Sequence, residues 1–293
     1  MPELPEVETI KNELSPHVIG HKITGVTIID EKLVHKPSVA EFCSRLTGQK
    51  ITDIERRGKY LIFNLSNGAA LIIHLKMSGS LLLRPPERFT RATIHLDDGT
   101  KIHFRDPRKF GAMWLVEDKD AIIGKLGPEA LAAELTPKIL AQRLSKRTAP
   151  IKALLCDQKF VAGIGNMYAD EALFQAKIHP LRPGKSLSQE EIKRLHQAIQ
   201  QILRAAIRKK GASVVTYFRP GGEIGRAHFE FKVAHGLNKK CPVCGTPIQR
   251  ILVRNRGSYF CPRCQPRGGA TKQAGRSMPR VRSRPKFHKT IAP

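Results

Sequence analysis

Hydrophobic and polar positions divide the chain into two stretches with different periods. Val7, Ile10 and Leu14 recur at helical spacing, which predicts an opening helix ending just before Pro16. Short apolar or alternating runs follow at 22–30, 50–56, 60–65, 70–76, 93–96, 101–104 and 112–116. Gly48, Asn67-Gly68, Gly79 and Asp98-Gly99 punctuate them. Asp97-Asp98-Gly99-Thr100, between two alternating runs, predicts a hairpin. So many short strands imply a sandwich or a barrel. Beyond about residue 120 the period becomes helical. Segments 150–156 and 167–176 are helix candidates, separated by a glycine-bearing turn at 161–166. Ser188 and Glu191 form a capping box that opens a long amphipathic helix through Lys209. Ile192, Leu195, Ile199, Ile202, Leu203 and Ile207 mark its buried face, and Gly211 ends it. The fold class is α+β.

The first residues carry candidate chemistry. Removal of Met1 exposes the secondary amine of Pro2, which can attack an aldehyde-like carbon and form an iminium. Glu3 and Glu6 stand three residues apart behind it, on one face if this stretch is helical. An ordinary Pro- and Glu-rich helix start has the same composition. The glycines at 163 and 165 permit a tight turn whose N–H groups, with the Asn166 amide, suit a phosphate.

At the other end stand Cys241-Pro-Val-Cys244 and, after sixteen intervening residues, Cys261-Pro-Arg-Cys264. Two such knuckles predict one structural zinc with four thiolates and no open position for chemistry. The acidic N-terminus has no continuous apolar run, so no secretory signal is expected. Cys43 and Cys156 read as isolated thiols of a reducing cytosol. With 51 Lys+Arg against 25 Asp+Glu, the net charge is +26, which makes a polyanion the expected partner. No amphipathic or spanning stretch suggests a membrane. Residues 265–293 hold eight Lys or Arg and no acid, the composition of a disordered basic tail.

Pro2-Glu3-Leu4-Pro5-Glu6-Val7-Glu8-Thr9, Gly163-Ile164-Gly165-Asn166-Met167-Tyr168 and the late cysteine pairs together resemble the formamidopyrimidine-DNA glycosylase family. So do Arg57-Gly58-Lys59-Tyr60, His74-Leu75-Lys76-Met77-Ser78-Gly79, Asp106-Pro107-Arg108-Lys109-Phe110-Gly111 and His179-Pro180. The resemblance runs in order from residue 2 to about 265. It implies an N-terminal β-sandwich with flanking helices (2–118), a helix–two-turn–helix domain (119–232) and a zinc-finger hairpin (233–265), and it leaves the disordered basic tail at 266–293 outside. It also implies a bifunctional base-excision enzyme on damaged double-stranded DNA. Such an enzyme removes 8-oxoguanine and formamidopyrimidines, then cleaves the strand by β,δ-elimination.

By the same resemblance Pro2 is the nucleophile, Glu3 the acid/base residue and Lys59 an active-site cation. Arg256 clamps phosphate at the finger tip, and Glu6 lines the lesion pocket. His74 and Asn166 hold phosphates. Met77 and Phe110 fill the gap left by the extruded nucleotide, and Arg108 bonds the orphaned cytosine. Without the resemblance, Met77 and Phe110 would read as core residues. Arg91 and Arg147 are further candidate DNA contacts. A monomer in the cytoplasm of a bacterium, associated with the nucleoid, is expected. Besides the basic tail, which has no family counterpart, two departures stand out. The family's Arg-Asp pair is missing from Gly211-Ala212-Ser213-Val214-Val215-Thr216-Tyr217-Phe218, and Phe89-Thr90-Arg91 stands where relatives often have paired histidines. The first leaves an endonuclease VIII-like preference for oxidised pyrimidines as the alternative.

Overall fold

A computed structural model describes residues 1–85, 88–214 and 216–268. The opening helix α1 (Leu4–Val18) turns Val7, Ile10 and Leu14 wholly inward. It runs through Pro16 rather than stopping before it. In the last turn the missing proline N–H costs one helical hydrogen bond, and Ile19 N–H still closes on Ser15 C=O at 3.1 Å,. Strands β1 (Ile23–Ile28) and β2 (Val34–Lys36) and helix α2 (Val39–Leu46) come next. Periodicity missed α2, although Ser38 caps it by accepting from Glu41 N–H at 3.3 Å. With eight residues, it is too short for its apolar stripe to stand out,.

Strands β3 (Ile51–Arg57), β4 (Tyr60–Leu65), β5 (Ala70–His74), β6 (Ser80–Leu82), β7 (Thr90–Leu96), β8 (Lys101–Arg105) and β9 (Ala112–Val116) complete a two-sheet sandwich. One sheet has the order β2-β9-β5-β4-β3 and the other β1-β7-β8-β6. The predicted hairpin joins β7 to β8, with Leu96 N–H donating to Thr100 C=O at 2.9 Å. Strand β5 ends at His74, two residues short of the expected run, because Lys76 takes φ 51° and turns the chain.

Helices α3 (Asp120–Ile123) and α4 (Pro137–Leu144) lead into α5 (Ile151–Leu155), α6 (Asn166–Gln175) and α7 (Gln189–Arg208). Ser188 and Glu191 form the predicted capping box on α7. Ile192, Leu195, Ile199 and Leu203 are buried on that helix, whereas Ile202 and Ile207 are only partly covered. A hairpin of β10 (Gln249–Val253) and β11 (Arg256–Phe260) ends the described fold. Arg254 and Asn255 at its tip both take positive φ, at 46° and 63°, the pattern of a type I′ turn.

The sandwich and the helices bury separate apolar cores, and each lends a residue to the other. Leu4 of α1 packs into the helical core, and Tyr217 packs into the sandwich. The two halves therefore meet where the candidate chemistry lies.

Candidate active site

Glu3 is 1% exposed, and its carboxylate is held by main-chain groups of the helical half. Gly165 N–H donates to Oε2 at 2.6 Å and Met167 N–H to Oε1 at 3.0 Å. Both donors belong to the N-terminal turn of α6, where free N–H groups and the helix dipole favour a negative charge. The glycine turn was expected to take a phosphate, but the chain's own carboxylate engages it. Leu4 N–H donates to Gly163 C=O at 3.0 Å and fixes the neighbouring backbone.

Lys59 follows Gly58 in the two-residue turn between β3 and β4. Gly58 takes φ 58°, and its N–H is bonded by Glu129, which also pairs with Arg56 at 2.6 Å and Arg57 at 2.8 Å. This cluster drives the turn into the seam between the halves, leaving Lys59 4% exposed. Burial lowers the Lys59 pKa from its usual 10.5, while Glu3 opposes the shift. Glu3 and Lys59 converge over Gly165. A methyl group added there would stand 2.3 Å from the Glu3 carboxyl carbon and 2.6 Å from Lys59 Nζ.

Glu6 is fully buried. It accepts from Glu3 N–H at 2.7 Å, Tyr168 O–H at 2.5 Å and Ala212 N–H at 2.7 Å. Burial, and then the adjacent Glu3 carboxylate, push its pKa up to about 7. Glu6 thus ties together α1, α6 and the segment after α7, and it stands behind the cavity wall. The cavity itself measures about 260 Å³ and is lined by Met1, Met77, Arg108, Met167, Thr216 and His235, among others. Pro2 is buried beside it. The Met1 amine is pushed below its usual pKa of 8.0, mainly by burial and further by Lys59 and Arg108, against the pull of Glu3 and Glu6. At this position desolvation outweighs the carboxylates.

Met77, Arg108 and Phe110 come together at the rim. Met77 is 42% and Phe110 50% exposed, so neither is core. The Arg108 guanidinium lies 4.9 Å from the Phe110 ring centroid and within 3.8 Å of Met77 Sδ. Asp106, wholly buried, organises both loops. It accepts from Ser78 on one loop, and from the N–H groups of Arg108 at 3.1 Å and of Phe110 and Gly111 at 2.8 Å on the other. Its position before Pro107 was the available signal, since a short acid there bonds the backbone two residues on. Arg91 donates to Asp106 C=O at 2.8 Å and braces that loop from behind.

His74 accepts Lys76 N–H on Nδ1 at 2.9 Å, and burial lowers its pKa to about 3. The ring is therefore neutral and carries its proton on Nε2, a donor suited to phosphate. Asn166 donates to Gly257 C=O at 2.8 Å and so pins the hairpin to α6. The exposed Arg256 begins β11, and its Nη1 reaches Cys156 C=O at 3.3 Å. Arg147 lies apart from this group, exposed in the turn after α4.

The sulfurs of Cys241, Cys244, Cys261 and Cys264 all lie within 4.8 Å of one another. Two of the separations are 3.8 and 3.4 Å. A tetrahedron with bonds of about 2.3 Å has edges of roughly 3.8 Å, so the cluster fits one zinc. Gln265 secures it by accepting from Cys261 N–H at 3.0 Å and donating to Ile178 C=O at 2.8 Å. Four sulfurs satisfy the metal, and its role is structural.

The segment after α7 folds back onto the sandwich despite its altered sequence. Arg219 grips Glu13 at 2.7 and 3.0 Å, and Leu83 N–H donates to Pro220 C=O at 2.8 Å. Thr216 Oγ1 donates to Met77 C=O at 3.4 Å. One edge of the cavity is thereby attached to the rim.

A β-sandwich, a helical half and a four-cysteine finger sharing one seam define a three-part architecture. Family descriptions match it in order: formamidopyrimidine-DNA glycosylase N-terminal domain over residues 1–113, H2TH domain over 126–217, and zinc finger found in FPG and IleRS over 238–267. The chain belongs to the formamidopyrimidine-DNA glycosylase family. It is 44% identical over 274 residues to the formamidopyrimidine-DNA glycosylase of Symbiobacterium thermophilum, covering 91% of this chain and 90% of that protein. Identity to the Chloroflexus aurantiacus enzyme is 45%, covering 90% and 98%. The crystal structure of MutM (Fpg) from Thermus thermophilus superposes with a TM-score of 0.84 at 37% identity, covering 92% of this chain and all of that one. The Lactococcus lactis Fpg in complex with abasic-site DNA gives 0.84 at 37%, covering 90% and 100%.

Proposed function

We propose that the chain is a bifunctional DNA glycosylase and abasic-site lyase of bacterial base excision repair, acting as a monomer on double-stranded DNA that contains oxidised purines. The observation that carries this reading is the buried amino end of the chain, which lines the cavity and feels the charges of Glu3 and Lys59, with Glu3 held by two main-chain N–H groups. The same environment disfavours a charged amine, which is what a nucleophile there requires.

Once Met1 is removed, the Pro2 nitrogen attacks C1′ of the extruded nucleotide. The C1′–N bond to the base breaks, and the base leaves with the bonding pair and takes up the proton that the Pro2 nitrogen gives up. Glu3 delivers a proton to the sugar ring oxygen as the ring opens, leaving an iminium between Pro2 and C1′. Abstraction of a C2′ proton expels the 3′ phosphate, with Lys59 as the neighbouring cation, and a second elimination expels the 5′ phosphate. Arg256 and neutral His74 grip the phosphates. Met77 and Phe110 enter the vacated stack while Arg108 meets the unpaired base. Zinc, held by the four cysteines, keeps the finger folded around Arg256.

Borohydride trapping on duplexes carrying 8-oxoguanine, formamidopyrimidine, an abasic site or an oxidised pyrimidine tests the reading. Mass spectrometry should place the adduct on Pro2. Active enzyme that keeps Met1 would overturn the mechanism, and preferential trapping on the oxidised pyrimidine would move the chain to the alternative specificity. The basic tail beyond 268 lies outside the described residues. The eight charges of residues 265–293 (seven of them beyond 268) are proposed to raise general DNA affinity by counterion release, with a salt slope of roughly 0.9 per phosphate neutralised.

A further inference from the structure

Gln158 lies between α5 and the glycine turn, and three hydrogen bonds engage its side-chain amide. Oε1 accepts Gly163 N–H at 2.9 Å. Nε2 donates to Ile164 C=O at 2.7 Å and to Cys156 C=O at 3.3 Å. The turn it brackets contains two glycines, and Gly163 takes φ 100°, so the backbone there has little intrinsic preference for one shape,. No helix or strand hydrogen bond serves Gly163 N–H or Ile164 C=O, and Gln158 supplies both partners.

What the turn holds gives the bracket its consequence. Gly163 C=O receives Leu4 N–H, while the N–H groups of Gly165 and Met167 fix both oxygens of Glu3. Cys156 C=O, the third partner of Gln158, also receives Arg256 from the finger. One amide thus links the cradle of the acid/base residue to the point where the finger's arginine docks.

We propose that Gln158 is a positioning residue for base excision, setting the 163–165 turn that holds the Glu3 carboxylate beside Lys59. The proposal rests on the reading of Glu3 as the acid/base group. It requires the two chemical steps to respond differently. Excision needs Glu3 aimed at the intact nucleotide, whereas strand cleavage at a preformed abasic site starts from an open sugar and depends on Pro2 and Lys59.

The test uses the full-length enzyme with zinc bound and single-turnover kinetics at saturating enzyme. Gln158→Met keeps the size and removes all three hydrogen bonds. It should slow 8-oxoguanine excision by about 10²-fold, the cost of a misplacement on the order of 1 Å, while cleavage of abasic duplex and duplex affinity stay near the parent's. Gln158→Glu keeps the acceptor for Gly163 and loses the donors, so it should fall between parent and Gln158→Met in excision. Parental excision in either variant overturns the proposal. So does an equal loss of excision and abasic cleavage accompanying a lowered melting temperature, which is the signature of a merely structural residue. If Gln158→Met does not fold, the Gln158→Glu result decides alone. Glu3→Gln is run in parallel: if it retains excision, the reading of Glu3 fails, and that failure is separate from any result at Gln158.

Discussion

The buried floor beneath the chain's amino end and the rim of the cavity are built on opposite principles. At the floor, Glu3 is 1% and Lys59 4% exposed, and the Glu3 carboxylate is already satisfied by backbone. At the rim, Met77 and Phe110 leave 42% and 50% of their surfaces in water, with Arg108 laid against both. If these are the reacting groups, as proposed, they are preorganised before DNA arrives, as transition-state stabilisation demands. The apolar rim waits for the DNA duplex to supply its packing. Buried polar groups need partners in the free protein, whereas exposed apolar ones are tolerated until a partner covers them.

The sharpest way to break the floor is Gly165→Ala. Its φ of −128° suits alanine, so the effect is purely steric. Lys59 can swing its flexible end away, but Glu3 cannot move without losing the N–H groups of Gly165 and Met167. Excision should drop by about 10²–10⁴-fold, the range for a lost general acid or base, as read by single-turnover release of 8-oxoguanine.

The scaffold beneath the floor is the next target. Lys152 and Asp170 form an ion pair with both side chains 1% exposed, and Lys152 also donates to Asn166 C=O at 2.7 Å. Asp170→Asn strands a buried ammonium and should destabilise the fold by about 3–5 kcal/mol in urea unfolding. The double change to well-packed apolar residues should recover much of that loss.

Glu6 makes the floor sensitive to pH. Its folded pKa of about 7 lies above the ordinary 4.5, so the stability it contributes is complete below about pH 4.5 and is lost as pH rises through 7. The melting temperature of the free protein should decline across that window, corresponding to up to about 3 kcal/mol. Glu6→Gln should flatten the profile; an unchanged slope would assign the dependence to another group. Phe110→Ala is the mildest test and probes the rim alone. It should cost about 1–3 kcal/mol of lesion-duplex affinity, the worth of one aromatic–base stack, with no change in melting temperature.

Sequence pattern located most of the sandwich and α7 because each strand or helix announces its own period. It did not show that the glycine turn would hold Glu3 rather than a phosphate. That pairing joins residues 162 positions apart, and nothing local to either encodes it. Asp106 was visible within a recognisable stretch, yet its four donors come from two loops that only the folded chain brings together. Met77 and Phe110 show the converse. Their apolar character alone indicates a core, and the Gly that follows each within two residues was the local sign of a loop tip. Gln158 sits in a polar run, and periodicity says nothing about such positions.

At their junction the two halves touch in two chemical languages. Glu3 and Leu4 address the helical half through main-chain atoms, at Gly165 N–H, Met167 N–H and Gly163 C=O. Every residue carries those atoms, so side-chain drift at positions 164 and 167 leaves that part of the junction legible. Glu6 and Tyr168 instead meet side chain to side chain, and a change in one is felt at once by the other. The Glu6–Tyr168 couple, like the pairs of Glu129 with Arg56 and Arg57, therefore has to change as a unit, whereas the main-chain part of the junction asks only for glycines at 163 and 165.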